Sequence, residues 1–96
     1  MTRLDFEWDE AKDESNRAKH GQSFMLASQL FSTDGCVETD VSREDEGEPR
    51  WKRTGLLFGV LTTVVFTRRE TRIRLISARR ANRGEEKQYG DRALQF

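Results

Sequence analysis

The first residues of the chain alternate between apolar and acidic side chains. Within residues 3–8, Leu4, Phe6 and Trp8 occupy every second position, with acidic residues between them. Successive side chains of a strand point to opposite faces, so this pattern predicts a strand with one buried face.

Two helices are predicted after this strand. Asp9 is placed to cap a first helix that runs to about Lys19, and Gly21 is suited to end it. Ser23 is placed to cap a second, short helix whose apolar residues follow helical spacing. Those residues are Phe24, Ala27, Leu30 and Phe31. The second helix has the more apolar face, so we expect it to contribute more to the core.

The middle of the chain favours strands. Residues 36–41 are expected to form a short strand, and residues 42–49 form a charged loop with glycine and proline. Residues 50–78 are rich in β-branched side chains, and short links at 58–59 and 68–72 divide them into three strands. Strands joined by short links usually pair with their neighbours, which predicts an antiparallel meander.

A last helix is predicted from a cap at Asn82 to about Leu94, and it carries Tyr89. The elements together predict one α+β domain over residues 1–96, in the order β-α-α-β-β-β-α. The helices are expected to pack on a single antiparallel sheet.

The net charge of zero conceals an uneven distribution. Residues 1–50 hold 6 Lys or Arg against 13 Asp or Glu, whereas residues 68–96 hold 9 against 4. An acidic half joined to a basic half suggests a surface that faces a polyanion, or a contact between the two halves. Phosphates respond to the local patch rather than to the average charge, so nucleic-acid binding remains open.

Several classes of function are disfavoured by the composition. No segment has the roughly 18 apolar residues needed to span a bilayer, and the acidic first residues are unlike a secretory signal. The single cysteine, Cys36, fits a reducing cytoplasm and is expected to pack rather than to react. One histidine and one cysteine offer no metal-ligand spacing, and no phosphate-binding glycine loop or Ser-His-Asp pattern occurs. We therefore expect no metal, no cofactor and no membrane partner.

Two consecutive arginines end the last predicted strand. Strict alternation divides that strand into two sides, one with Ile73, Leu75, Ser77 and Arg79 and the other with Arg74, Ile76, Ala78 and Arg80. Arg79 and Arg80 would then diverge beside a helix N-terminus, where amide groups and guanidinium forks form a candidate phosphate site. The alternative is that these arginines are solvated or pair with the acidic half of the chain.

His20, the only histidine, follows Lys19 at the end of the first predicted helix. It either interacts with the helix dipole or moves a proton near neutral pH. Such groups suit metal-free cleavage of RNA, in which the 2′-hydroxyl of the RNA attacks the neighbouring phosphate. The protein then orients the attack, stabilises the developing charge and helps to move two protons.

Two segments of the chain resemble the BrnT toxins. Residues 6–24, FEWDEAKDESNRAKHGQSF, resemble the opening pattern of that family: Phe-x-Trp-Asp, a Lys, then Asn-x-x-Lys-His-Gly-x-Ser-Phe. Residues 72–89, RIRLISARRANRGEEKQY, resemble its closing strand and helix. The resemblance covers nearly the whole chain in order, which makes it more specific than any one motif.

The resemblance implies a RelE-like fold and a metal-independent endoribonuclease that blocks translation as the toxin of a type II toxin–antitoxin pair. The implied partners are a BrnA-like antitoxin, RNA and the ribosome, with operator DNA bound only through the antitoxin. The matching candidate site residues are Lys19, His20, Arg79, Arg80 and Tyr89. Further candidate RNA contacts in the basic part of the chain are Arg53, Arg68, Arg74 and Arg83.

One departure from the family pattern concerns the loop of residues 42–49. Family members often carry a histidine there, whereas this chain has Ser42 and Arg43 at about that place. A non-catalytic, decayed toxin that still binds antitoxin or RNA is therefore the alternative to an active nuclease. A third hypothesis is a structural domain whose opposite charges drive self-association.

Overall fold

The structure of the chain, a computed structural model, describes residues 5–93. Its elements are β1 (Asp5–Glu7), α1 (Glu10–His20), α2 (Phe24–Ala27), β2 (Val37–Asp40), β3 (Trp51–Leu57), β4 (Val60–Arg69), β5 (Arg72–Arg80) and α3 (Arg83–Ala93). One 3-10 turn, Ser28–Ser32, continues α2, and another, Glu44–Glu46, lies in the loop between β2 and β3. Within residues 5–93, no helix has the length and apolar character needed to cross a membrane.

The five strands form one sheet in the order β1-β5-β4-β3-β2. Strands β2 to β5 pair antiparallel with their neighbours in sequence, which confirms the meander. Two features of the predicted fold are wrong. The order β-α-α-β-β-β-α omits one of the four strands that follow α2, although strands were expected in residues 36–41 and three times in residues 50–78. Strand β1 also pairs parallel with β5, so the sheet is mixed. Parallel pairing requires a long connection, and the whole segment from α1 to β4 supplies it.

The predicted starts of the three helices and the predicted end of α1 are confirmed by capping contacts, whereas Leu94, the predicted end of the last helix, lies outside the described residues. The Asp9 carboxylate accepts from the Ala11 N–H at 2.8 Å, and Ser23 caps α2 through its hydroxyl. Gly21 ends α1 with φ of 72°, a left-handed conformation that glycine adopts without steric cost. At α3, the Asn82 side chain accepts from the Glu85 N–H at 2.9 Å.

The apolar core lies between one face of the sheet and the helices α1 and α2. Its buried residues are Phe24, Ala27, Leu30, Cys36, Leu57, Val64, Phe66, Ile73, Leu75 and Ala78. Gly55 lets β3 approach this layer, because a Cβ atom there would lie 2.4 Å from the Cys36 Sγ. Burial raises the pKa of the Cys36 thiol, which favours packing over reactivity.

A bulge in β5 changes which of its residues share a face. Val65 of β4 pairs with Ser77, but the next residue, Phe66, pairs with Leu75, so Ile76 is the extra residue. The faces predicted by strict alternation are therefore wrong beyond the bulge. One face carries Ile73, Leu75, Ala78 and Arg80, and the other carries Arg74, Ser77 and Arg79. Arg79 and Arg80 still diverge, but Arg80 rather than Arg79 shares the face of the apolar core.

Helix α3 packs on the face opposite α1 and α2. Its Glu85 accepts a hydrogen bond from Thr63 of β4. Thr63 alternates with Val64, which is buried in the core on the other face. The sheet thus has helices on both faces, with α1 beside β5 and α3 over β2 and β3.

Asn16 of α1 closes the edge of β5. Strand β1 pairs only with Arg72–Arg74, so the backbone of Ala78 has no neighbouring strand on that side. The buried Asn16 amide takes the place of a strand: Nδ2 donates to the Ala78 carbonyl at 2.7 Å, and Oδ1 accepts from the Ala78 N–H at 3.1 Å. The Asn of the opening family pattern therefore has a structural role at this position.

Replacing Asn16 by alanine is expected to lower the free energy of unfolding by about 2 kcal/mol, because the N–H and C=O of Ala78 would lose their partners in a buried site. Glu14→Ala, an exposed change on the same helix, is the matched control and should stay within about 0.5 kcal/mol of the parent chain. Urea denaturation of the two variants measures the difference. Equal midpoints would show that the amide does not stabilise this edge.

Candidate active site at the end of β5

Arg79 lies on the α3 face of the sheet and is paired with Glu85. Its Nη1 and Nη2 donate to the two Glu85 carboxylate oxygens at 2.7 and 2.9 Å. The Glu85 side chain is only 1% exposed, and it also accepts from Lys52 Nζ at 3.1 Å and from Thr63 Oγ1 at 3.0 Å. The Thr63 hydroxyl uses its proton in the bond to Glu85. Thr54 is therefore the donor in the 2.7 Å hydrogen bond between the hydroxyls of Thr54 and Thr63. Arg79 is therefore part of a buried polar network that joins α3 to the sheet.

The electrostatics of this network keep Glu85 ionised. Burial alone would raise the pKa of Glu85, but hydrogen bonds from Arg79, the Asn82 amide, Lys52 and Thr63 outweigh it and lower the pKa to about 2. The same pair raises the pKa of Arg79. An ionised Glu85 neutralises much of the charge that Arg79 would otherwise offer to a phosphate.

The sequence pattern alone does not single out Glu85, Lys52 or Thr63. Asn82 and Glu85 have the spacing of a capping box, and the Asn82 N–H does donate to Glu85 at 2.9 Å. That pattern indicates a helix start, but it does not indicate which strand residues the acid contacts.

Arg80 is the exposed cation at the end of β5. It pairs with Thr62 across the sheet, on the face that carries α1 and α2. No acidic side chain within residues 5–93 forms an ion pair with Arg80. Arg83, at the start of α3, is also exposed and lies three residues further along the chain. The guanidinium of Arg80 is thus available to an anion, in contrast to that of Arg79.

Lys19 and His20 lie beside the same strand. They are exposed at the C-terminal end of α1, one helical turn after Asn16. A shallow cleft of about 190 Å³ separates this end of α1 from β5. Its lining residues are Lys12, Ser15, Asn16, Lys19, His20, Ile76 and Ser77. The structure therefore brings Lys19 and His20 to the bulged part of β5, beside Ile76 and Ser77.

Tyr89 is half-buried on α3, one turn after Glu85. This spacing places it on the same side of the helix as Glu85, which faces the sheet. Tyr89 therefore belongs with Arg79 on the α3 face, whereas Lys19 and His20 lie beside β5 at the end of α1 and Arg80 lies on the opposite face from Arg79. The structure thus distributes the five candidate residues over both faces and one edge of β5.

Two of the other candidate arginines make local contacts that stabilise the fold. Arg53 donates to the Leu30 carbonyl at 2.8 Å and the Thr33 carbonyl at 3.1 Å, which holds the turn after α2. The Arg68 guanidinium covers the rings of Trp51 and Phe66 at 4.8 and 4.9 Å. These contacts favour structural roles for Arg53 and Arg68.

Arg74 lies at the other end of β5 from Arg80. It pairs with Glu7 at 3.9 Å. Six residues of strand separate it from Arg80, which is about 20 Å along the sheet. Among the four further RNA-contact candidates, Arg83 alone follows β5 directly on the Arg80 side.

The loop of residues 42–49 is also distant from the end of β5. The Thr67 hydroxyl donates to the Pro49 carbonyl at 2.6 Å, which places the loop four residues along β4 from Thr63. That separation is about 13 Å. A histidine in this loop would therefore not lie among the residues around Arg79 and Arg80.

This arrangement can bind an anion and can supply proton donors and acceptors beside it. Arg80 and Arg83 are exposed cations at a strand end, and Lys19 and His20 line the neighbouring cleft. Within residues 5–93, no group of three His, Cys, Asp or Glu side chains is placed to hold a metal ion.

Comparison with known proteins identifies the family. No curated protein matches the chain. A family model described as "Ribonuclease toxin, BrnT, of type II toxin-antitoxin system" matches residues 8–85, a range that includes Lys19, His20, Arg79 and Arg80 and stops before Tyr89. Membership implies an antitoxin partner. The chain belongs to the BrnT family of ribonuclease toxins of type II toxin–antitoxin systems.

Proposed function

We propose that the chain cleaves RNA without a metal ion and thereby inhibits translation, and that the phosphate under attack binds at the end of β5. The observation that carries this proposal is the position of Arg80. It is an exposed guanidinium with no acidic partner among the described residues, at the end of the strand whose bulged part lies beside Lys19 and His20.

The chemistry needs only a cation and proton-transfer groups. The 2′-hydroxyl of one nucleotide loses its proton and attacks the adjacent phosphorus, and the bond to the 5′-oxygen of the next nucleotide breaks. The products are a 2′,3′-cyclic phosphate and a 5′-hydroxyl, whose proton comes from a general acid. Arg80 stabilises the charge on the phosphate, and a guanidinium fork suits its paired oxygens.

Lys19 and His20 are the proposed proton-transfer groups, since both lie at the cleft beside β5. We assign Arg79 a positioning role, because its pairing with Glu85 holds α3 against the end of the strand. Tyr89 is proposed to contact RNA from the α3 side. Arg83 is proposed to contact a neighbouring phosphate.

The proposed partners follow from this activity. They are RNA, the ribosome as the place where messenger RNA is exposed, and a BrnA-like antitoxin that would carry any contact with operator DNA. The proposed site of action is the cytoplasm.

A second candidate function is a non-catalytic module that binds antitoxin or RNA. The pairing of Arg79 with the buried Glu85 favours it, because this charge is already neutralised within the protein.

Induction of the chain alone in a bacterial host distinguishes the two candidates. The nuclease proposal predicts growth arrest, falling protein synthesis and cut transcripts, all relieved when the cognate antitoxin is produced with the toxin. Normal growth with intact transcripts, from cells that contain the folded chain, would favour the binding module.

A further inference from the structure

The hairpin between β3 and β4 holds a large aromatic residue in a conformation that does not suit it. Leu57 pairs with Val60, so Phe58 and Gly59 form a two-residue turn. Both have positive φ, 50° at Phe58 and 78° at Gly59. Turns of this kind favour Asn, Asp or Gly at both positions, and a bulky side chain there is strained. Gly59 fits the turn, and Phe58 does not.

Packing within the protein does not compensate for this strain. Phe58 is 73% exposed, more than any other large hydrophobic residue among those described. Leu56, two residues earlier, is 48% exposed. Strained residues that neither the fold nor the core requires are found where a protein meets a ligand.

The turn lies at the Arg80 end of the sheet. Arg80 pairs with Thr62, and the Ala81 N–H donates to the Leu61 carbonyl at 2.9 Å. Thr62 is two residues, roughly 7 Å of strand, from the Val60 that closes the turn. Single-stranded RNA is commonly held by this combination, with a cation on the phosphate and an aromatic ring stacked on an unpaired base.

We propose that Phe58 stacks on an unpaired base of the RNA whose phosphate Arg80 binds; this inference rests on the proposed function. The neighbouring exposed cations, Arg80 and Arg83, favour RNA as the occupant. A single ring at a hairpin tip exposes at most about 250 Å², whereas a stable protein interface buries roughly 800 Å² per partner. The area of the ring therefore suits a nucleotide base better than a protein partner.

Two substitutions of Phe58 separate stacking from a structural role. Phe58→Asn suits the turn, so it should raise the urea midpoint while it weakens RNA binding. Phe58→Trp keeps a stacking ring and should keep the affinity. The probe is a short labelled 2′-O-methyl RNA, whose methylated 2′ oxygens cannot attack the phosphate. The reference is an abasic oligomer of equal length and charge. Fluorescence anisotropy measures the affinity of each variant for the two oligomers.

Phe58→Asn is expected to bind the base-bearing probe about 10-fold more weakly than the parent chain and the abasic probe equally well. Equal affinity of Phe58→Asn and the parent chain for the base-bearing probe would overturn the stacking proposal. Equal losses on the two probes would overturn it as well. If Arg80→Ala weakens both probes while Phe58→Asn weakens neither, only the stacking fails. If the parent chain binds neither probe, the proposed RNA contact fails and the stacking fails with it.

Discussion

Replacing Glu85 by glutamine is expected to lower the free energy of unfolding by about 3 kcal/mol at neutral pH, roughly a 100-fold change in the ratio of folded to unfolded chain. Glutamine keeps the size of the side chain but not its charge. Arg79 and Lys52 would then share a partly buried site with no negative partner. The difference between the ordinary pKa of 4.5 and the folded value of about 2 corresponds to the same magnitude.

The same pair of pKa values fixes the direction of the pH dependence. The folded protein binds the Glu85 proton more weakly than the unfolded chain, so ionisation of Glu85 stabilises the fold fully above about pH 4.5 and this contribution disappears as the pH falls towards 2. The gap in stability between the parent chain and Glu85→Gln should therefore close over that range.

Urea denaturation at several pH values provides the measurement, and Glu86→Gln provides the matched control. Glu86 is the exposed neighbour of Glu85 on α3, and its loss should change the stability by no more than about 0.5 kcal/mol. If Glu85→Gln and Glu86→Gln unfold at the same urea concentration, the network does not hold α3 to the sheet.

Replacing Arg80 by alanine is expected to slow RNA cleavage about 100- to 1000-fold, the loss typical of one donor that stabilises a developing charge. The protein should remain folded, because Arg80 is exposed and makes no ion pair within the described residues. Arg80→Lys should recover part of the rate, since lysine supplies a charge but not the planar fork.

Arg72→Ala is the control for this experiment. Arg72 lies on the same strand, its side chain is 65% exposed, and its partner Glu7 is at the far end of β5. Initial rates on a labelled RNA, with urea denaturation in parallel, separate lost chemistry from lost folding. Arg80→Ala cutting as fast as Arg72→Ala would exclude Arg80 as the phosphate cation.

The local signals in the sequence predicted the elements well. Asp9, Gly21, Ser23 and Asn82 act within one helical turn, so each cap could be read without knowledge of the tertiary structure. The meander also followed from local information, because short links force neighbouring strands to pair.

Features that depend on distant contacts were not predictable in this way. The parallel pairing of β1 joins residues more than sixty positions apart, such as Phe6 and Ile73. The bulge at Ile76 left no signature in the alternation, and it exchanged the faces of Arg79 and Arg80.

The candidate site was likewise predicted only in part. The basic strand end was visible in the sequence, but the carboxylate that pairs with Arg79 comes from the helix that packs on the Arg79 face of the sheet. The spacing between Asn82 and Glu85 indicated a helix cap, but it did not indicate the ion pair between Glu85 and Arg79. The pairing of Arg79 with Glu85 makes Arg80 the better candidate for binding the phosphate, and this preference could not be inferred from the sequence.

The chemical ends of the cut RNA test the central claim most directly. Purified toxin is incubated with a labelled RNA in the presence of a chelator, and the products are mapped. Direct attack by the 2′-hydroxyl predicts undiminished cutting, 5′-hydroxyl and 2′,3′-cyclic phosphate ends, and no cut where the nucleotide before the scissile phosphate is 2′-deoxy. Products with 5′-phosphate and 3′-hydroxyl ends, or cleavage that the chelator abolishes, would contradict the account.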